Sequence, residues 1–295
     1  MARDGFLSSL GISLQYILPH HLLSRLIFEA TRWRLPFVGM IIRRFVRHFA
    51  VDMNEAAEPD ASAYPTFNAF FTRALRADAR PLAEGEGVLA CPADGHISQI
   101  GRIEDGRIVQ AKGQSYSLVE LLGGDLARAE AFRNGRFATI YLSPRDYHRV
   151  HMPLGGRLRE MVHVPGRLFS VGPGTVAQVP RVFARNERVA ALFDTSRGPL
   201  GLVLVGAMNV SAIETVWAGL VTPPRGREIG VTRYGTAEEN GTPGRQLDVI
   251  LDRGAEMGRF NMGSTVIVLA GPEVEWLPEL APEQPVHMGQ ALSLG

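Results

Sequence analysis

The sequence predicts an α+β protein in which N-terminal amphipathic helices precede a largely antiparallel β core. Three features predict it. Apolar residues in the first 50 positions recur at helical spacing among arginines. From Pro81 onward, short apolar or alternating runs are separated by Gly, Pro and Asp turns, as in a meander of antiparallel strands. Leu118 to Leu126, after Ser117 as a cap, is the one clear helical interruption of that pattern.

Residues 1–50 form the first unit. Leu22-Leu23 with Leu26-Ile27, and Val38 to Ile42 with Phe45-Val46, carry the helical spacing, and Pro19 and Pro36 divide it into two or three short helices. Seven arginines against Asp4 and Glu29 leave the segment at +5. None of its apolar runs reaches the roughly 18 to 20 residues needed to cross a bilayer. No small-residue cleavage site follows a hydrophobic stretch as in a signal peptide. Arginines interleaved with Trp33, Phe37, Phe45 and Phe49 point to a peripheral seat on an anionic lipid surface, where apolar burial and attraction to headgroups add. The plainer alternative is that these helices cap the core.

Residues 51–295 form the second unit. It opens with a polar connector and a short helix announced by Pro65-Thr66-Phe67-Asn68. Its expected strands include Val88 to Cys91, Gly95 to Ile100, Arg107 to Ala111, Phe137 to Leu142 and Leu202 to Gly206. Pro165 to Val171 and Phe183 to Arg188 bracket a loop whose apolar residues look exposed, as if to close over a lipid-like substrate. Thr222 to Gly244 reads as a solvent-facing loop.

Composition narrows the chemistry. A net charge of +1 argues against a general nucleic-acid binder, so no nucleic-acid partner is expected. The single cysteine, Cys91, excludes an internal disulfide framework and cannot by itself build a zinc site. Lys112 is the only lysine, so any mechanism needing a lysine imine must use it.

Three stretches concentrate reactive groups. In Pro92-Ala93-Asp94-Gly95-His96, Asp94 sits in a strong turn signal and reads as a turn former until something else calls on it. Ser143 to Pro153 holds His148 and His151 three residues apart between prolines, open to metal ligation, core packing or acid-base work. Metal binding is the weakest of these, because two histidines supply two ligands and no further His or Cys cluster completes a site; no metal is expected. Gly263-Ser264-Thr265 opens the β-branched run Val266-Ile267-Val268, so Ser264 lies at the mouth of a buried strand beside the unhindered Gly263 carbonyl. That arrangement suits either a plain strand start or attack by the Ser264 hydroxyl on its own chain.

Taken together, the chain resembles phosphatidylserine decarboxylases of the bacterial membrane-associated type. The likeness runs from Ser13-Leu14-Gln15-Tyr16-Ile17-Leu18-Pro19 through Val51-Asp52-Met53, Pro92-Ala93-Asp94-Gly95, Gln110-Ala111-Lys112-Gly113, Tyr141 to Pro153, Phe183 to Val189 and Ile213 to Gly219, ending at Met257-Gly258-Arg259-Phe260. It covers nearly the whole chain. Where the family has Leu-Gly-Ser-Thr this chain has Met262-Gly263-Ser264-Thr265, a swap that keeps an apolar side chain of similar volume.

The resemblance implies a precursor that cuts itself between Gly263 and Ser264 into two chains. His151 would take the proton of Ser264, Asp94 would hold the imidazole, and Ser264 would end as a pyruvoyl group, the cofactor. That ketone would condense with the substrate amine as a Schiff base and accept electrons as carbon dioxide leaves, giving phosphatidylethanolamine. His148 is the candidate acid, or a contact to the substrate carboxylate. The implied partner is phosphatidylserine in an anionic membrane, and the implied location is the cytoplasmic face of a bacterial inner membrane, held peripherally; a homo-oligomer is compatible with this. Rival readings are a serine hydrolase, which lacks its Gly-x-Ser-x-Gly elbow here, a pyridoxal phosphate enzyme resting on Lys112, and a non-catalytic lipid-surface protein.

Overall fold

Side-chain caps set where three of the short helices begin. The computed structural model describes residues 15–111, 113–208, 212–222, 228–235, 248–262 and 265–295; Lys112, Gly263 and Ser264 lie outside them. Helices α1 (His20–Ala30) and α2 (Val38–Phe49) follow Pro19 and Pro36. Helix α3 (Phe67–Phe71) starts where the Thr66 hydroxyl accepts from the Ala69 N–H, as its sequence signal predicts. The helix expected over Leu118 to Leu126 is two, α4 (Leu118–Leu121), capped by Ser117, and α5 (Leu126–Glu130), capped by Asp125. Gly123 and Gly124 separate them at φ of +83° and +87°, a left-handed turn that no continuous helix allows. Helices α6 (Pro173–Val176) and α7 (Val182–Arg185) complete the set.

The strands are β1 (Gly95–Arg102), β2 (Arg107–Ala111), β3 (Gln114–Ser117), β4 (Arg136–Tyr141), β5 (Arg149–His151), β6 (Gly156–Val164), β7 (Arg188–Thr195), β8 (Gly198–Val205), β9 (Ile213–Thr215), β10 (Gly219–Leu220), β11 (Gly230–Arg233), β12 (Ile250–Leu251), β13 (Glu256–Phe260), β14 (Thr265–Ala270) and β15 (Pro285–Val286). Among the described residues, nine of them form one antiparallel sheet in the order β11-β6-β7-β8-β14-β4-β1-β15, with β12 also on β6. A smaller sheet runs β10-β9-β13-β5, and β2 pairs with β3. Strand β14 lies between β8 and β4 with all six residues buried. Each fully buried Val, Ile or Leu there contributes roughly 1.5–3 kcal/mol, so the strand that follows Ser264 is held firmly in the core.

Three expectations change. Val88 to Cys91 makes only a bridge, Ala90 to Ala291, because Pro92 ends the run and its backbone bonds go to irregular segments, the Ala90 N–H to the Pro153 carbonyl and the Cys91 N–H to the Gln290 carbonyl. Part of the loop expected over Thr222 to Gly244 is β11, exposed along its length on the edge of β6; two β-branched residues between glycines give too short a signal to read. The segment from Pro165 to Arg188 is packed inward: Leu168, Phe169, Val171, Val182 and Phe183 are buried. Buried amides explain this, since Gln110 bonds the Val176 and Val179 carbonyls and the Val182 N–H, and Asn186 bonds both backbone groups of Phe169.

The N-terminal helices are amphipathic, but α1 faces the body with its polar side. Gln15 accepts from the Ser170 N–H and His20 from the Leu168 N–H, while Leu22, Leu23 and Leu26 are exposed. Helix α2 seats Val38 and Ile42 on a satellite cluster with Val51, Tyr64, Phe70 and Phe71, leaving Met40 and Ile41 outside. Among the described residues no helix is long and apolar enough to cross a membrane.

Candidate active site

Strand register brings the separate motifs to one place. Thr265 is paired with Tyr141 on β4, and Tyr141 with His96 on β1. At strand spacings of about 4.8 Å this puts Thr265 roughly 10 Å from His96, two residues beyond Asp94. Gly95 makes the close approach of β1 and β4 feasible, since a Cβ there would stand 2.3 Å from the Tyr141 carbonyl oxygen. On the other side β13 pairs with β5, Glu256 opposite His151 and Arg259 opposite Arg149, and the Phe260 N–H donates to the His148 carbonyl at 3.0 Å. The chain therefore leaves the small sheet beside His148 and is in the large sheet, beside Tyr141, five residues later. Gly263 and Ser264 lie outside the described residues, but the described residues on either side of them, Met262 and Thr265, both belong to this neighbourhood. Met262 adopts φ +132°, where an L side chain is strained, and its side chain packs on the satellite cluster that α2 and α3 share.

Helix α3 closes the site from the N-terminal side. Phe71 lies against the His148 ring with centroids 4.1 Å apart, and Asn68 donates to Asn261 Oδ1 at 3.1 Å. Arg149 donates to the Thr72 carbonyl and to Glu256, and Arg73 to the Arg145 carbonyl. Phe45 of α2 packs edge-on against Phe67, Phe70 and Phe71, so one aromatic layer connects α2 to His148.

His148 is fully buried. Its Nδ1–H donates to the Asp146 carbonyl at 2.8 Å, which leaves Nε2 as an acceptor, and that atom has no hydrogen-bond partner among the described residues. Burial pushes its pKa down to about 3, and the Arg73 guanidinium acts in the same direction. The imidazole is therefore neutral, with its one proton committed. The sign of the linkage follows: as pH falls below about 6.5 the unfolded chain gains a proton here that the folded chain refuses until about 3. Stability should thus fall with pH across that window, by about 1.4 kcal/mol per unit for this one group. Thermal unfolding across that range should show His148→Gln losing one proton's share of the slope; an unchanged slope would contradict the assignment.

His151 stands on β5. Its Nδ1–H donates to the Gly254 carbonyl at 2.8 Å, and Nε2 accepts from the Tyr147 hydroxyl at 2.9 Å. Burial holds its pKa below the ordinary value, opposed by the Gly254 carbonyl and Glu256. The hydrogen bonds orienting this ring thus come from Gly254 and Tyr147. Asp94, buried, is instead committed to Arg80: Nε and Nη2 of Arg80 donate to it at 2.9 and 2.6 Å, and the Met288 N–H at 2.8 Å. Arg80 reaches Glu55 as well, at 2.7 Å. Asp94 acts on His151 through space, by its charge, which favours the protonated ring.

A cavity of about 240 Å³ opens over Asp94, lined by Arg73, Arg80, Arg145, Tyr147 and His287 among others. A larger cleft of about 610 Å³ lies on β6 and β7; its Arg128 and Arg159 are ion-paired with Glu160 and Asp194, and it holds none of the residues marked by the sequence. Among the described residues no group of three or more His, Cys, Asp or Glu could hold a metal ion. Arg80, Glu55, Gly254 and Tyr147 escaped the sequence reading. Tyr147 lay inside a marked stretch, but only the tertiary fold brings the other three to it.

The family model for phosphatidylserine decarboxylase matches residues 67–293, and a second model described as PSD matches residues 10–50. A phosphatidylserine decarboxylase proenzyme of Bordetella petrii is 60% identical over 291 residues, covering 98% of each chain. Proteins of the same name are 58% identical in Bordetella bronchiseptica, over 98% of this chain and 95% of that one, and in Pseudomonas aeruginosa, over 98% of both.

Proposed function

The chain belongs to the phosphatidylserine decarboxylase family, and from that premise we propose that it is a precursor which cuts itself at Gly263-Ser264 and then decarboxylates phosphatidylserine at a membrane surface. The observation that carries this reading is the convergence of Met262, Thr265, His148 and His151 through strand register.

In the first stage the Ser264 hydroxyl attacks the Gly263 carbonyl, His151 Nε2 takes its proton, and the peptide nitrogen leaves as an amine, giving an ester. Loss of the Ser264 α-proton expels the Gly263 carboxylate, and hydrolysis of the resulting dehydroalanine releases ammonia. Burial suits His151 to this work, because a ring kept neutral is a base at neutral pH. Asp94 stabilises the imidazolium as it forms by its charge, held in place by Arg80. The strained Met262 gives the ground state some of the energy it needs to leave.

The surroundings fit a pyruvoyl group at position 264. His148 Nε2, buried, neutral and without a hydrogen-bond partner among the described residues, is a polar atom able to take a ligand, on a ring that Phe71 packs against. The group, once formed, supplies an electron sink for the bond to carbon dioxide. His148 Nε2, held neutral by burial, can accept a hydrogen bond from the substrate ammonium and orient it toward position 264.

Attachment to the lipid surface rests on residues 1–50. Helix α1 turns its polar side to the protein and shows Leu22, Leu23 and Leu26 outward beside Trp33, Phe37 and Met40, the reverse of a helix that only caps a core. Arg43, Arg44 and Arg47 are exposed on α2. Liposomes containing phosphatidylserine should bind the protein and yield carbon dioxide and phosphatidylethanolamine. Reversing the charge of the three arginines should weaken binding at low salt, by on the order of 1 kcal/mol for each. Leu22→Ser with Leu26→Ser should weaken it at every salt concentration. Equal binding of all variants would remove this segment from the membrane account, and no carbon dioxide from the wild type would remove the enzymatic one.

A further inference from the structure

The imidazole assigned as the base for self-cleavage has one lone pair, and in this fold it is taken. Nδ1 of His151 faces the Gly254 carbonyl, so it must carry the ring proton, and Nε2 must accept from the Tyr147 hydroxyl. Tyr147 itself is buried and lines the cavity over Asp94, whereas His151 does not line it. We propose that Tyr147 is a latch on His151, a positioning residue that holds Nε2 in the correct tautomer while keeping it from Ser264 until the Ser264 hydroxyl displaces the phenol. This rests on the reading of His151 as the base.

Two consequences follow from the hydrogen bond. Displacing the phenol costs the Tyr147–His151 bond, about 0.5–1.5 kcal/mol net, which corresponds to roughly a two- to tenfold slower cleavage than an unlatched base would give. The same bond favours neutral imidazole and so lowers the pH at which His151 becomes a base. The other groups acting on the ring are Glu256, opposite it on β13, Arg149 on its own strand, and Asp94 beyond it, and a change at Tyr147 leaves all three in place. Gly254 keeps Nδ1–H anchored without the phenol. Burial pushes the Tyr147 phenol up to about 12, so it stays protonated and can only donate to Nε2 across the working range.

The test is Tyr147→Phe in full-length precursor made by cell-free synthesis, with cleavage followed by denaturing electrophoresis from about pH 5 to 9. The latch requires the rate plateau at high pH to rise two- to tenfold and the midpoint of the pH profile to move up. A lower plateau, or an unmoved midpoint, would overturn it, because a purely structural tyrosine slows cleavage without changing the base. His151→Ala, run alongside, separates the two claims: wild-type cleavage in that variant would sink the base assignment itself. If His151→Ala is inert and Tyr147→Phe behaves as wild type, only the latch fails.

Discussion

Ser264→Ala is expected to accumulate as one uncut chain without decarboxylase activity, because no hydroxyl remains to attack the Gly263 carbonyl. The effect should be at least on the order of 10⁴-fold on maturation, the usual cost of removing a nucleophile that works with a positioned base. His151→Ala should approach the same phenotype, since a serine hydroxyl without a base is a poor nucleophile at neutral pH. The two variants together should be hardly worse than either alone, as expected for groups that act as a unit. Cleavage of Ser264→Ala at the wild-type rate, read by electrophoresis, would end the self-processing account.

Arg80→Ala is expected to be the most destabilising single change near the site. Arg80 bridges two carboxylates, donating to buried Asp94 and half-exposed Glu55. Deleting it leaves Asp94 buried with, among the described residues, the Met288 N–H at 2.8 Å and the exposed His287 ring at 3.9 Å as its remaining partners. Breaking such a pair from one side costs about 3–5 kcal/mol. Glu55→Ala should cost under about 1 kcal/mol, because that carboxylate keeps water and the Arg80–Asp94 pair survives. Urea unfolding of uncut precursor, made in the Ser264→Ala background so that processing does not intrude, should separate the two. Equal small losses would show that Asp94 tolerates isolation.

Much of this molecule was legible in its residues, and the exceptions share a cause. Thr66 and Ser117 announced their helices because capping is a local interaction, and the β-branched run after Ser264 announced β14 because burial on both faces leaves a continuous apolar signature. Gly123-Gly124 cut a helix whose apolar spacing ran on past it. Asp94, His148 and His151 stood out as residue types in unusual settings; the fold puts His148 and His151 beside β13, and Asp94 just before β1, bonded to Arg80. Their partners were not legible. That Asp94 meets Arg80, and that His151 meets Tyr147 and Gly254, depends on how β1, β5 and β13 lie against one another. A sequence shows that a histidine needs orienting, but not which carbonyl does it. The inward packing of Leu168 to Phe183 was missed for a related reason: buried Gln110, 66 residues away, and Asn186, at the segment's own end, satisfy that loop's backbone.

The central claim is that Ser264 is converted, within this chain, into the electrophile that does the decarboxylation. Intact-mass analysis of the purified, active protein tests it directly. The account predicts two chains, residues 1–263 with an ordinary carboxyl end and residues 264–295 lighter than a serine-started chain by the mass of one ammonia. A fully active protein whose mass is that of one unbroken chain, residues 1–295, would contradict it.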